Sequence, residues 1–389
     1  MMELLHPEIQ RFIVSNTGTD AGKLALSKNP FPDTDWKAII NQIAARSKAR
    51  EKLPTWFNTS NILWPAKISV EQTSSEITAA FKSGLIDGKT LIDLTGGFGV
   101  DDHYFAQKLQ SVVHCEINPE LSRIAKYNSE MLQTRNIEFF AGDGTEILKR
   151  LDRRFDWIYI DPSRRNDAKG KVFLLKDCLP DVPGNLDFYF SYADRILVKV
   201  SPILDISAGI SEFKQVKTVF IVAIRNEVKE LLWLLEKGYS GGISVVAVDL
   251  ANDSQRFEFA LNQTYAVFFA QPSQYLYEPN AAVMKSGGFD AVSQEFNVAK
   301  LHGHSHLYTS ENLIDAFPGR IFKITETVSY NKTGMKKLSG TKANVTTRNF
   351  PESVEALRKK WKITDGGNVF YFFTTNSNNE KIVLLCAKI

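Results

Sequence analysis

The sequence predicts an α/β protein built on a doubly wound, seven-stranded sheet, with a helical segment before it and small α+β units after it. Two observations carry that expectation. Between about residues 90 and 250, short β-branched runs alternate with amphipathic stretches, the pattern of a parallel sheet covered by helices. Acidic residues also close successive runs, at the strand ends where open α/β sheets bind their ligands.

The first 50 or so residues read as helical pieces, as over 35–44, where apolar residues recur at three- and four-residue spacing. Turn formers across 54–65 separate these pieces from the rest of the chain. A helix over 74–84 starts at Ser74-Ser75-Glu76, a sequence that can cap it. Strands are expected at 90–94, 111–116, 137–140, 156–160, 195–200, 216–223 and 243–249, with helices near 100–109, 118–134, 143–151, 185–193, 203–213 and 226–237. Residues 256–261 add an edge strand.

After Gln271-Pro272-Ser273 the helix–strand rhythm is lost. A strand-like 320–324, a helix over 351–361 and strands at 368–374 and 381–387 then form a compact appendage. The 389 residues exceed the roughly 250–300 that a single core supports. They divide into a helical segment (1–66), the sheet domain (67–270), a small unit (271–319) and a C-terminal α+β domain (320–389).

Composition excludes several classes. Apolar residues at 43% and charged ones at 23% suit a globular chain and exclude disorder. No run reaches the roughly 18–20 apolar residues of a membrane helix, and the start lacks a secretory signal, so no membrane association and a cytoplasmic location are expected. Cys115, Cys178 and Cys386 form no close pair, which argues against a disulfide framework or a thiolate zinc site. His302, His304 and His306 alternate, but no acidic or cysteine partner lies near them in sequence, and no metal is expected. The net charge of +3 does not indicate nucleic acid, yet residues 332–362 hold nine basic side chains against two acidic ones. Phe350, Trp361 and Tyr371 lie in or near this stretch; they can stack on unpaired bases or form the core of their own unit.

The strongest local signal is 90–102, a buried strand that runs into Thr95-Gly96-Gly97-Phe98-Gly99 and then a helix. Glycines there allow positive φ and close approach of a ligand. Asp93 closes the first strand, and Glu116 closes the second, where a carboxylate can accept both hydroxyls of a ribose. Asp143 closes the third, where an acceptor can meet an adenine amine, and Asp161 closes the fourth. Asp101 and Asp102 stand at the first helix turn, where a pyrophosphate tolerates no acids. Asp102 also replaces the third glycine of a dinucleotide fingerprint, so a cationic ligand with a free amine suits the site better than NAD.

These residues resemble the class I S-adenosylmethionine methyltransferases, whose Rossmann-like sheet opens with acid-x-Gly-x-Gly-x-Gly. Asp93, Gly97 and Gly99 match that motif, Thr95 replaces its first glycine, and Gly96 lies between. The resemblance implies S-adenosylmethionine as cofactor, with Asp93 toward its methionine part, Glu116 on the ribose and Asp143 on the adenine. Asp161-Pro162-Ser163-Arg164-Arg165 looks like the start of the Asp-Pro-Pro-aromatic motif of amine methyltransferases, although Ser163 and Arg164 replace the second proline and the aromatic. Asp161 is the candidate for orienting or deprotonating the acceptor. Pro162, Arg164 and Arg165 are candidates for substrate contact, the arginines through a phosphate or carboxylate.

The chain as a whole resembles a bacterial family of class I methyltransferases with a ferredoxin-like unit and a C-terminal domain similar to THUMP RNA-binding domains. The residues that carry this are Glu71-Gln72-Thr73-Ser74-Ser75-Glu76, Asp161 to Arg165, Ser305-His306-Leu307-Tyr308-Thr309-Ser310, and the run from Lys342 to Pro351. That resemblance implies RNA as substrate. Three alternatives stay open: a methyltransferase for a protein or small molecule, a non-catalytic module that binds cofactor and RNA, and a nicotinamide-dependent oxidoreductase.

Overall fold

The computed structural model describes residues 2–164, 174–251 and 255–389, with the side chains of Met2, Arg164 and Gln255 outside the description. It divides into two compact units, one of residues 1–217 with 232–240 and one of 218–231 with 241–389.

Strands β1 (Thr90–Asp93), β2 (Ser111–Glu116), β3 (Ile137–Ala141), β4 (Phe155–Ile160), β5 (Ala193–Val200), β6 (Val216–Ile224), β7 (Glu227–Glu236), β8 (Ser244–Asp249) and β9 (Gln255–Ala260) form one sheet, in the order β9-β8-β6-β7-β5-β4-β1-β2-β3. Pairing is parallel from β3 through β2, β1 and β4 to β5, and again between β6 and β8, while β9 closes the edge antiparallel. The order reverses at β1, whose neighbours β2 and β4 lead to opposite edges. That is the switch point where the strand ends open a crevice.

Each strand of the first half leads into a helix. Helices α1 (Pro7–Ser15), α2 (Trp36–Lys52) and α3 (Glu76–Leu85) precede the sheet; α4 (Val100–Ala106), α5 (Pro119–Met131), α6 (Gly144–Leu151), α7 (Val182–Tyr192) and α8 (Ile206–Glu212) are interposed. Ser75 accepts from Thr78 N at the start of α3, and Asn118 and Asp143 cap α5 and α6. Residues 54–65 pack rather than link. Trp56, Leu63 and Trp64 join Phe98, Val100 and Ile124 in one buried cluster, and Asn128 bonds the backbone of Leu63 in both directions, at 2.9 and 2.8 Å.

One expected element differs. The sequence predicts a helix over 226–237, but Glu227–Glu236 is a strand, joined to β6 through Arg225 and Asn226 at φ 51° and 63°. A two-residue link with both φ values positive makes a tight antiparallel hairpin. Asp249 fixes the turn by accepting from Arg225 N at 3.0 Å and Asn226 N at 2.6 Å. Leu231, Leu232, Trp233 and Leu235 are fully buried, so sheet burial outweighs the helical propensity of a Glu- and Leu-rich segment.

In the second unit, β10 (Tyr275–Pro279), β11 (Ala299–Lys300), β12 (Tyr308–Ser310), β13 (Gly319–Ser329), β14 (Asn344–Arg348), β15 (Val369–Thr375) and β16 (Lys381–Lys388) make a seven-stranded sheet in the order β11-β12-β10-β13-β16-β15-β14. Helices α9 (Ala281–Ser286), α10 (Phe289–Glu295), α11 (Lys332–Leu338) and α12 (Val354–Trp361) accompany it. Glu278, 2% exposed, accepts from Arg320 Nε at 2.7 Å and from Arg348 Nη2 at 2.8 Å, tying β10 to β13 and β14.

Candidate functional site

The glycine turn after β1 is held from both sides. Asp93, 1% exposed, accepts from Thr95 N at 2.7 Å and Thr95 Oγ1 at 3.1 Å. Thr95 Oγ1 in turn accepts from Asp161 N at 2.7 Å. The threonine in place of the motif's first glycine therefore ties the end of β1 to the end of β4. Glu116 holds the other side, accepting from Gly97 N at 2.9 Å and Asn118 N at 2.7 Å.

The glycines serve different ends. A Cβ on Gly96 would lie 2.1 Å from His114 Nδ1, and one on Gly144 2.3 Å from Leu94 O. Both glycines let elements pack closely beneath the turn. Gly97, at φ 57°, has nothing nearer its Cβ position than Thr95 O at 3.8 Å, and Gly99, at φ 80°, begins α4. At Gly97 and Gly99 a side chain would meet nothing closer than ordinary van der Waals contact, with the wider clearance at Gly97.

Beneath the turn lies a buried cluster that sequence reasoning missed. His114 Nδ1 and Asp102 Oδ2 are 2.6 Å apart, and both side chains are wholly buried. Burial, then the neighbouring carboxylates, push Asp93 and Asp102 well above the usual carboxylate range. Burial also drives His114 down to about 4. The neutral forms are thus favoured throughout. Asp101 behaves otherwise. Burial raises it, but Lys82 and Lys199, with hydrogen bonds from Ser74 and Tyr159, hold it below the ordinary value. Lys82 Nζ lies 3.2 Å from Asp101 Oδ1 and is fully buried.

Asp101 and Asp102 therefore bond inside the protein and do not present a negative field to a ligand. The electrostatic case against a pyrophosphate weakens accordingly. The steric part stands, because Asp102 fills the place of the glycine that a dinucleotide turn needs.

Asp161 is half-buried at the end of β4, followed by buried Pro162. Its carboxylate forms an ion pair with Lys199 Nζ, from the end of the adjacent parallel strand β5; the Lys199 side chain is 12% exposed. Lys199 was not among the expected residues. The signal was present, since a lone lysine in Arg195-Ile196-Leu197-Val198-Lys199-Val200 is costly within a strand buried on both faces unless it has a partner. Asp143 Oδ1 caps α6, accepting from Thr145 N at 2.9 Å and Glu146 N at 3.0 Å. Its Oδ2 makes no bond among the described residues. Arg165 and the side chain of Arg164 lie outside the described residues.

Elsewhere, Tyr371 is buried and Phe350 and Trp361 pack against the same cluster, with Leu338, Leu357 and Phe373, so of their two open roles the structure realises the core. Lys336, Lys359 and Lys362 are exposed and unpaired among the described residues. The rings of His302 and His304 lie with centroids 5.5 Å apart, and the histidines have different partners. His302 bonds Asn349 Nδ2 at 3.0 Å and Asn379 Oδ1 at 3.1 Å, while His306 stacks on Phe289 with ring centroids 3.6 Å apart.

Comparison with known proteins shows where such a chain recurs. Residues 275–318 match a ferredoxin-like domain family, and 319–388 match a THUMP domain-like family. A crystal structure from Porphyromonas gingivalis W83, named a "putative methyltransferase", is 30% identical, covers 100% of this chain and 98% of its own, and superposes with a TM-score of 0.88. An uncharacterized RNA methyltransferase of Protochlamydia amoebophila is 28% identical over 99 residues, 25% of this chain and 23% of that one. Another, of Clostridium tetani, is 32% identical over 76 residues, 20% of this chain and 17% of that one. The chain thus matches only about a fifth of the length of these two relatives.

Proposed function

This chain belongs to the class I methyltransferase family that carries a ferredoxin-like unit and a C-terminal THUMP-like domain, and on that premise we propose that it transfers a methyl group from S-adenosylmethionine to RNA. The observation that carries the reading is the hydrogen-bonded row across four strand ends, Glu116–Gly97 on one side and Asp93–Thr95–Asp161–Lys199 on the other. The residues fit the cofactor. Gly97 leaves space where a side chain would stand, Glu116 offers a carboxylate already oriented by two backbone N–H groups, and Asp143 keeps one oxygen uncommitted among the described residues.

Glu116 would hold the ribose hydroxyls and Asp143 the adenine amine. Asp93, being buried, acts on the methionine end by fixing the turn. The cofactor supplies an electrophilic methyl group on a sulfonium that is already a good leaving group, so the protein's task is positioning and handling one proton. Asp161 and Lys199 meet that task together. The carboxylate accepts a hydrogen bond from the incoming acceptor group, and Lys199 fixes the carboxylate's orientation and donates to a second atom of the substrate. Pro162, buried beside Asp161, shapes the entrance, and Arg164 and Arg165 are proposed to contact the substrate.

RNA is supported by the exposed lysines of α11 and α12, which can neutralise phosphates and would make binding salt-dependent. Purified protein supplied with methyl-labelled cofactor and separate RNA, protein and small-molecule fractions should label RNA. Label confined to protein or small molecules would replace the substrate assignment, and cofactor binding without transfer to any fraction would make the protein a binding module.

A further inference from the structure

The second unit contains a cavity of about 620 Å³ that the proposed transfer reaction does not use. Phe259, Tyr265, Phe269 and Phe289 line it together with Gly288 and Lys300. Four aromatic side chains thus meet around one hollow, and Phe269 remains 55% exposed, with Phe268 beside it at 54%. Three further details show that the rings are held in place. A Cβ on Gly288 would lie 2.5 Å from Phe259, so the glycine lets that ring lie against the start of α10. The Tyr265 hydroxyl accepts from Ala260 N at 2.8 Å and donates to Ala260 O at 3.0 Å. Phe289 is braced by His306, stacked on it at an interplanar angle of 19°.

The charge in the cavity narrows its ligand. Lys300, 4% exposed, donates to Asp290 Oδ1 at 2.7 Å, so the cation among the described lining residues is already paired. A phosphate would find no unpaired cation among the described lining residues, whereas the edge of a planar heterocycle would find a donor and an acceptor side by side. Asn262 and Gln263, both exposed, leave a polar rim on which a sugar–phosphate backbone can remain in water. The volume lies within the range of roughly 300–1,000 Å³ typical of small-ligand pockets.

We propose that this cavity takes one unpaired base of a single-stranded RNA segment, stacked on Phe269 and Phe289, while the adjoining backbone stays outside. Single strands are bound in this manner, by aromatic faces that accept any base and by cations placed elsewhere along the backbone. The proposal rests on the RNA reading and adds a base-stacking site to it, separate from the aromatic residues near the basic helices, which are core.

The test uses the full-length protein and a single-stranded oligoadenylate containing interspersed 2-aminopurine. Binding should quench the fluorescence of the probe. Phe269→Ala should weaken binding at least ~5-fold, the lower end of what removal of one stacking ring costs. Phe269→Trp should retain binding, and because residue 269 is exposed neither change threatens the fold. A strand bearing abasic sites in place of bases should bind like the alanine variant. Equal affinity of wild type and Phe269→Ala, with RNA still bound, would overturn the cavity proposal and leave the RNA reading intact. Adenosine monophosphate binding as tightly as the strand would reassign the cavity to a small ligand. No RNA binding by the wild type at low salt would remove both.

Discussion

Replacement of either neighbouring glycine in the turn by alanine should produce opposite defects. In Gly96→Ala the new methyl would stand 2.1 Å from His114 Nδ1 and 2.3 Å from its Cε1. The ring is fully buried and bonded to Asp102, so it cannot yield without breaking that bond. Overpacking costs about 1–3 kcal/mol and stranding a buried polar partner about as much again, giving a loss of roughly 2–6 kcal/mol. Gly97→Ala pays only for a left-handed φ of 57°, about 1–2 kcal/mol. Its methyl meets nothing nearer than 3.8 Å, at the position proposed for the cofactor. Urea unfolding and calorimetric titration with S-adenosylmethionine read the two effects separately. Gly97→Ala should remain folded and bind the cofactor at least about 10-fold more weakly, a change of ~1.4 kcal/mol. Wild-type affinity in that variant, or wild-type stability in Gly96→Ala, would refute the assignment of the two glycines.

Lys199→Met should lower the turnover number by about 10²–10⁴, the usual contribution of a proton-handling group, with little change in cofactor affinity. A rise in KM alone would make the lysine a binding residue. Burial lowers His103 from 6.5 to about 4, and at 7% exposure it needs no allowance for solvent. A depressed value contributes stability that is full above pH 6.5 and lost as pH falls toward 4, here up to about 3 kcal/mol. The variant His103→Gln should flatten unfolding free energy against pH in that window, and an unchanged slope would exclude the histidine as its source. Glu278→Gln leaves Arg320 and Arg348 facing each other without the buried charge between them. The arginines are 41% and 35% exposed, so the several kcal/mol expected for a broken buried pair should shrink to about 1–3 kcal/mol; no shift in the melting temperature would mean that water replaces the carboxylate.

The sheet was legible where local and tertiary preferences agree. Strands β1 to β6 and β8 are short β-branched runs bounded by turn residues, and each expected position overlaps the strand found. The segment that became β7 was not legible, because Leu231 to Leu235 is an uninterrupted apolar run flanked by good helix formers, and periodicity cannot separate a buried strand from a helix there. Its two-residue connection to β6 was the available clue. In the site, acids at strand ends could be read from spacing alone. Their partners could not: Thr95 bridging to Asp161, Lys199 reaching Asp161 and His114 beneath Gly96 join residues 18 to 66 positions apart. The same distance effect misled the reading of Asp101 and Asp102, whose buried partners Lys82 and His114 neither helix position nor charge pattern reveals.

Methyl transfer is proposed to occur at the strand-end row that includes Asp161, and everything proposed about the substrate depends on that placement. Single-turnover transfer from methyl-labelled S-adenosylmethionine to an RNA fraction, compared between wild type and Asp161→Asn at equal cofactor occupancy, probes it without intermediaries. Cofactor affinity should be unchanged and the rate reduced by about 100-fold or more. Label entering RNA at the wild-type rate in the variant would contradict the assignment and move the reaction away from this row.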